Sequence, residues 1–190
     1  MIHNRLCELP EGAVHMEGDT LSFLLNDGEA IEAMAVKQES DGTVYITVDC
    51  LAEECALQEN GNYGNGYEDC DLRKRLNGEV LERFPEELRQ RMVPFANGDL
   101  LRIPTEREIF GKNTYGVKEP DTVQQFECMK LRRNRIAFQG KNGPWEWYWL
   151  QNRSVHSATY ACYVGSAGIA TANGASDSLG VRPLFKIQNP

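Results

Sequence analysis

The chain has 190 residues, 41% hydrophobic and 25% charged, with 28 acidic against 20 basic residues and a formal charge of −8. Those values describe one globular domain around one packed core, and the acidic balance argues against a general affinity for phosphate backbones or anionic membranes. No run approaches the roughly 18 apolar residues of a membrane span, and the start, MIHNRLCELPEG, has no apolar signal segment, so the expectation is a protein made in the cytoplasm and not inserted in a membrane. Six cysteines (Cys7, Cys50, Cys55, Cys70, Cys128 and Cys162) then read as buried free thiols. None forms a CxxC pair, and with three histidines no metal site is expected. The basic cluster Lys130 to Arg135 reads as a solvated face, not a nucleic-acid site.

Residues 1 to about 20 read as an arm or first edge strand preceding a domain over 21–190. From Leu21 to Val36, two apolar runs flank Asn26-Asp27-Gly28, a hairpin signal. Thr43 to Val48 alternates strictly, with Val44, Ile46 and Val48 on one face, as a strand does. The segment NGNYGNG, residues 60–66, is a loop rich in residues that tolerate positive φ and reads as a linker between strand and helix; Tyr63 in it and Tyr67 just after it are open to a binding role. Leu72, Leu76, Val80 or Leu81, and Phe84 recur at helical spacing, with Asp69 or Asp71 as N-cap, and Pro85 suits the first turn of a second, short helix to about 92. Asp99 to Ile103 is a short strand, Thr105 and Glu108 form a capping box for a helical turn ending at Gly111, and 112–122 is an irregular loop. Residues 126–138 stay open between strand and helix.

The terminal stretch is the most informative. Trp145, Trp147 and Trp149 at period two share one face of a strand, and at least two of them are expected in the core rather than on a sugar-stacking platform. Gly180-Val181-Arg182-Pro183 leads into the apolar strand LFKI, with Arg182 expected to pair with a carboxylate. Between them, Asn152 to Phe185 contains no Lys, Glu, Gln, Met or Trp, where the average of the chain gives about seven in 34 residues. Every residue in it belongs to the set encoded by codons ending in a pyrimidine. A preference of loops for small residues explains part of this pattern.

The WYWL start, the small-residue middle with Ala175-Ser176-Asp177-Ser178 and the GVRPLFKI ending resemble a bacterial and phage domain family with a C-type lectin fold, related to the formylglycine-generating enzymes. That family includes variable proteins of diversity-generating retroelements. DLRKRLNGEVLERFPEEL and LLRIPTEREIFG resemble its helix pair and strand-to-helix step. The resemblance implies an α+β, C-type lectin-like fold, with two helices packed on short, mostly antiparallel sheets and a long loop-rich C-terminal half. It also implies a variable region over 145–187, in which error-prone copying at adenines changes Asn codons but leaves the Trp codon untouched. The implied ligand-contacting positions are Asn152, Ser154, His156, Ser157, Thr159, Tyr160, Tyr163, Ser166, Thr171, Asn173 and Asp177, residue types suited to adaptable binding surfaces. The implied function is non-enzymatic recognition of a variable protein or cell-surface ligand by a phage- or prophage-encoded, virion-associated protein, with no cofactor and no catalytic residue.

Two other readings stand beside it. One is an enzyme of the formylglycine-generating type, although only Cys162 lies in the part of the chain where those enzymes use cysteines. The other is a fixed structural module of a phage particle. A Ser-His-Asp site around His156 lacks a nucleophile elbow, so a solvent-facing histidine is expected. Glu119-Pro120-Asp121 resembles the calcium and sugar motif of C-type lectins but supplies too few ligands alone.

Overall fold

The computed structural model describes residues 15–189; the expected N-terminal arm up to residue 14, and Cys7 with it, lies outside them. The fold is α+β, with few, short helices and several antiparallel sheets.

The hairpin forms as the Asn-Asp-Gly signal requires. Strands β1 (Thr20–Leu24) and β2 (Ala30–Glu39) pair antiparallel, and Gly28 takes the turn with φ 91°. Strand β3 (Gly42–Thr47) follows, and the C-terminal strand returns beside it, so the five-stranded sheet has the order β1-β2-β3-β10-β4, with β4 at Leu101–Arg102 and β10 at Leu184–Ile187. β3 is central and covered on both faces, so all six of its residues are buried, including the side that reads as polar in sequence. Tyr45 stacks flat on Phe185, ring centroids 5.5 Å apart, and Thr43 gives its hydroxyl to side-chain acceptors on Gln38 and Asn189.

The helical spacing from Leu72 to Phe84 becomes one continuous run. Helix α1 (Asp71–Arg75) leads through a π turn (Leu76–Val80), where Gly78 leaves helical geometry, into α2 (Leu81–Arg83). The cap is not an aspartate: Cys70 occupies that position and its Sγ accepts from the Arg73 amide. Helix α3 (Glu86–Arg89) is shorter than its charge pattern suggests, with Pro85 just before it as the N-cap. Leu72, Leu76, Val80, Phe84 and Leu88 from this pair pack on Leu21, Phe23, Leu101 and Phe185 of the large sheet. The opposite sheet face meets a second core. Val44, Ile46 and Leu184 join Ile109, Phe126, Met129, Tyr148, Leu150, Cys162 and Val164 there.

Helix α4 (Glu106–Phe110) has the expected capping box, Thr105 and Glu108 serving each other, and ends on Gly111 at φ 74°. Residues 126–138 resolve into two 3-10 turns and the short strand β5 (Ala137–Phe138), paired with β6 (Trp145–Glu146). The last sheet is a meander of β7 (Tyr148–Arg153), β8 (Tyr160–Val164) and β9 (Ala170–Gly174). Among the described residues no helix is long and apolar enough to cross a membrane, and Cys50, Cys55, Cys70, Cys128 and Cys162 are free thiols.

Candidate functional site

The meander alternates between the two cores. Trp149, Ala161 and Tyr163 face the first, whereas Tyr148, Leu150, Cys162 and Val164 face the second. The tryptophan triplet is broken between β6 and β7, yet its rings stay on one side. Trp145 lies 6.0 Å from Trp147, Trp147 5.4 Å from Tyr163, and Tyr163 6.3 Å from Trp149. Trp149 is fully buried with its indole N–H donated to the Cys55 carbonyl at 2.9 Å, and Trp147 packs on the core. Trp145 stands outside the core, 51% exposed.

Arg182 departs from expectation. It is buried, but among the described residues no carboxylate pairs with it. Its Nε donates to the Thr47 carbonyl at 2.6 Å and its Nη1 to the Asn134 carbonyl at 2.9 Å and the Tyr148 hydroxyl at 3.2 Å. The guanidinium therefore ties β3, the second 3-10 turn and β7 together through uncharged acceptors, with its charge spread over the Tyr148 ring 5.2 Å away.

A second buried charge shapes the surface. Glu106, at the start of α4, is fully buried, and its carboxylate accepts the amides of Tyr115 (3.0 Å) and Gly116 (2.9 Å) and the Asn113 side chain (3.3 Å). Those bonds lay residues 115–117 along the free edge of β7: Val155 donates to the Tyr115 carbonyl, Val117 to that of Arg153, and Gly116 bridges Ser154. Asn152 closes the arrangement. Its Oδ1 takes the Glu106 amide at 2.6 Å, and its Nδ2 donates to Glu119, which also accepts from Asn113 and the Arg107 amide. Gly116 is required by contact, because a Cβ there would lie 2.6 Å from that of Asn152.

This bracket sits beneath one end of the meander, where three loops meet. The 154–159 loop leaves β7, residues 175–178 leave β9, with Ala175 donating to the Thr159 carbonyl, and the 60–66 loop lies alongside, with Tyr63 donating to the Ala158 carbonyl. Of the residues expected to contact ligand, His156, Thr159, Tyr160 and Asp177 are exposed at this end and Ser157 and Asn173 are half-buried there. Asn152, Ser154 and Tyr163 are buried: the first two lie in or beside the bracket, and Tyr163 is the inner rung of the aromatic stack. Thr171 stands across from Tyr163 in mid-sheet, and Ser166 lies in the β8–β9 hairpin at the far end. The expected surface is thus six residues gathered at one end.

The residues that sequence reasoning missed come, Val155 apart, from elsewhere in the chain. Tyr115 and Val155, 37% and 55% exposed, face outward on the added edge, and Asn62, Gly64 and Asn65 are exposed on the neighbouring loop. The two loop tyrosines are spent internally. Tyr63 donates its hydroxyl to the Gln151 carbonyl, and Tyr67 accepts from the Ile103 amide, so both are core residues rather than contacts.

The groups that would serve enzyme readings are placed as follows. Cys162 is buried in β8 with a free thiol, whose pKa burial pushes well up. His156 is exposed, and its backbone N–H, not its ring, meets the Ser154 hydroxyl at 3.2 Å. Glu119 is filled by the donors above, and Asp121 pairs with Arg107 at 2.9 Å. Among the described residues no group of three or more His, Cys, Asp or Glu is arranged to hold a metal ion.

Residues 41–189 match the family described as Domain of unknown function (DUF6273). No curated protein and no solved structure matches the chain.

Proposed function

We propose that this chain, which belongs to the DUF6273 family, is a non-enzymatic ligand-binding protein of C-type lectin-like fold, whose exposed loop end is diversified to recognise variable protein or cell-surface partners. The observation that carries this reading is the coincidence of composition with exposure. The segment without Lys, Glu, Gln, Met or Trp supplies six residues to one exposed end, while Trp149 just before it and Arg182 near its close are buried where substitution is costly. Tyr160, 44% exposed, is a low-entropy anchor of the kind adaptable surfaces use, with Ser157, Thr159 and Asn173 as polar contacts. A phage or prophage origin accords with the GVRP ending.

The second reading, an enzyme of the formylglycine-generating type, needs Cys162 beside another thiol or a metal. A buried, unpaired Cys162 on the second-core face of β8 weighs against it.

The test of the diversification is the flanking DNA. A reverse transcriptase gene and a near-identical repeat of the segment for 152–178, differing at adenines, are expected close by. A locus with neither would sink that part of the reading, and a fixed module of a phage particle would take its place.

A further inference from the structure

Between the 60–66 loop and the added edge lies an open cleft of about 360 Å³, lined by Gly64–Tyr67, Thr105, Val117–Pro120 and Gln151–Arg153. Two cations line it, Lys118 and Arg153, in a chain of formal charge −8. Among the described residues neither is ion-paired or hydrogen-bonded through its side chain, whereas Arg102, Arg107 and Lys186 each hold a carboxylate. The one carboxylate of the lining, Glu119, is turned to internal donors: one oxygen accepts from Asn113, Asn152 and the Arg107 amide. The lining thus carries two cations against one carboxylate, and both the Lys118 ammonium and the Arg153 guanidinium are uncommitted. One of them, Arg153, lies in the segment with the unusual composition; the other, Lys118, lies outside it.

From this we infer that the cleft anchors a carboxylate side chain on an extended acidic segment of a protein partner, Lys118 giving a point charge and Arg153 a two-pronged one. The inference rests on the ligand-binding reading and names the partner chemistry. A peptide fits better than an acidic glycan because the exposed aliphatic side chains of Val117, in the lining, and Val155, beside it, suit apolar side chains of a peptide and offer a sugar hydroxyl no hydrogen bond. Partner residues flanking the carboxylate would lie along the 115–117 edge, where Tyr115 and Val155 are available.

The experiment titrates the full ¹⁵N-labelled chain with a capped hexapeptide of alternating Asp and Glu, at low salt, against its Asn/Gln counterpart and an oligogalacturonate of equal charge. The acidic peptide is expected to shift the amides of residues 64–66, 118 and 153 saturably, with half-saturation below about 1 mM. Affinity should fall at least about tenfold in Lys118→Gln/Arg153→Gln and stay unchanged in Arg91→Gln/Arg133→Gln, which removes the same charge from exposed sites elsewhere. All four side chains reach solvent, so folding is not at stake. No saturable shift, or an equal loss in both double variants, overturns the anion site; a tighter response to the oligogalacturonate overturns the peptide assignment. Neither outcome bears on the diversified loop end, which the locus tests independently.

Discussion

Replacing Glu106 by Gln keeps the side chain's shape and removes its charge at a fully buried position. The carboxylate serves three donors: the amides of Tyr115 and Gly116, one on each oxygen, and the Asn113 side chain. A glutamine offers one oxygen, and its NH₂ then faces a backbone N–H whichever way it turns. One buried donor is left unpaired, at about 1–3 kcal/mol, and the remaining bonds lose their charge assistance, about 1 kcal/mol more. Part of this is returned, because Glu106 and Glu119 both accept from Asn113, so two carboxylates lie close and removing one relieves repulsion. The net expectation is a loss of about 2–3 kcal/mol, or roughly 4–12 °C in melting temperature for a domain of this size. Hydrogen exchange adds a local readout: the amides of 115–117 should exchange faster, while those of β3 follow only the global change. A melting temperature within about 2 °C of the parent, with unchanged exchange at 115–117, would refute the claim that this carboxylate holds the edge in place.

Other consequences follow from the same geometry. Gly180→Ala places a methyl 2.6 Å from Glu146 Cγ, 2.7 Å from Cys50 Sγ and 2.9 Å from the Trp147 carbonyl, so a destabilisation of about 2 kcal/mol or more is expected by urea unfolding. Glu146 titrates near neutrality: burial, and a hydrogen bond with Glu54, push its pKa up to about 7. A carboxyl raised in the fold binds its proton more tightly there than in the unfolded chain. The Glu146 contribution to stability should therefore be fully present below the ordinary carboxylate range, fall as pH rises toward about 7 and level off above. Solvent screening at this half-exposed site holds the change to about 1 kcal/mol, and Glu146→Gln should flatten that slope in melts between pH 5 and 8. At the loop end, His156→Ala, Tyr160→Ala and Asp177→Ala should each leave stability within about 0.5 kcal/mol of the parent, as thermal melts would show, while abolishing binding to any partner captured through that surface.

What could be read from sequence was local. The capping box at Thr105 and Glu108 and the glycine stop at 111 depend on residues three to six apart, and both formed as expected. The hairpin at Asn26–Gly28 likewise carries its own signal. Features held by distant partners were not legible. Cys70 displaced two aspartates as cap, and Arg182 found three uncharged acceptors on elements 34 to 135 residues away, where pairing by charge type alone suggested a carboxylate. The same limit applies to the site. Composition singled out the segment, but it did not separate Asn152 from His156: one is locked to Glu106, 46 residues earlier, and the other is exposed. The added edge at 115–117 has no strand signal of its own, because a buried glutamate, not propensity, sets it there.

The central claim divides the C-terminal segment into a buried scaffold and a changeable end, and sequencing sibling copies of this gene from related loci tests it most directly. Substitutions are predicted to concentrate at His156, Ser157, Thr159, Tyr160, Asn173 and Asp177, with Trp149, Asn152, Gly116 and Arg182 unchanged. Copies whose differences are scattered evenly over the chain, or fall as often on the buried positions as on the exposed ones, would contradict it.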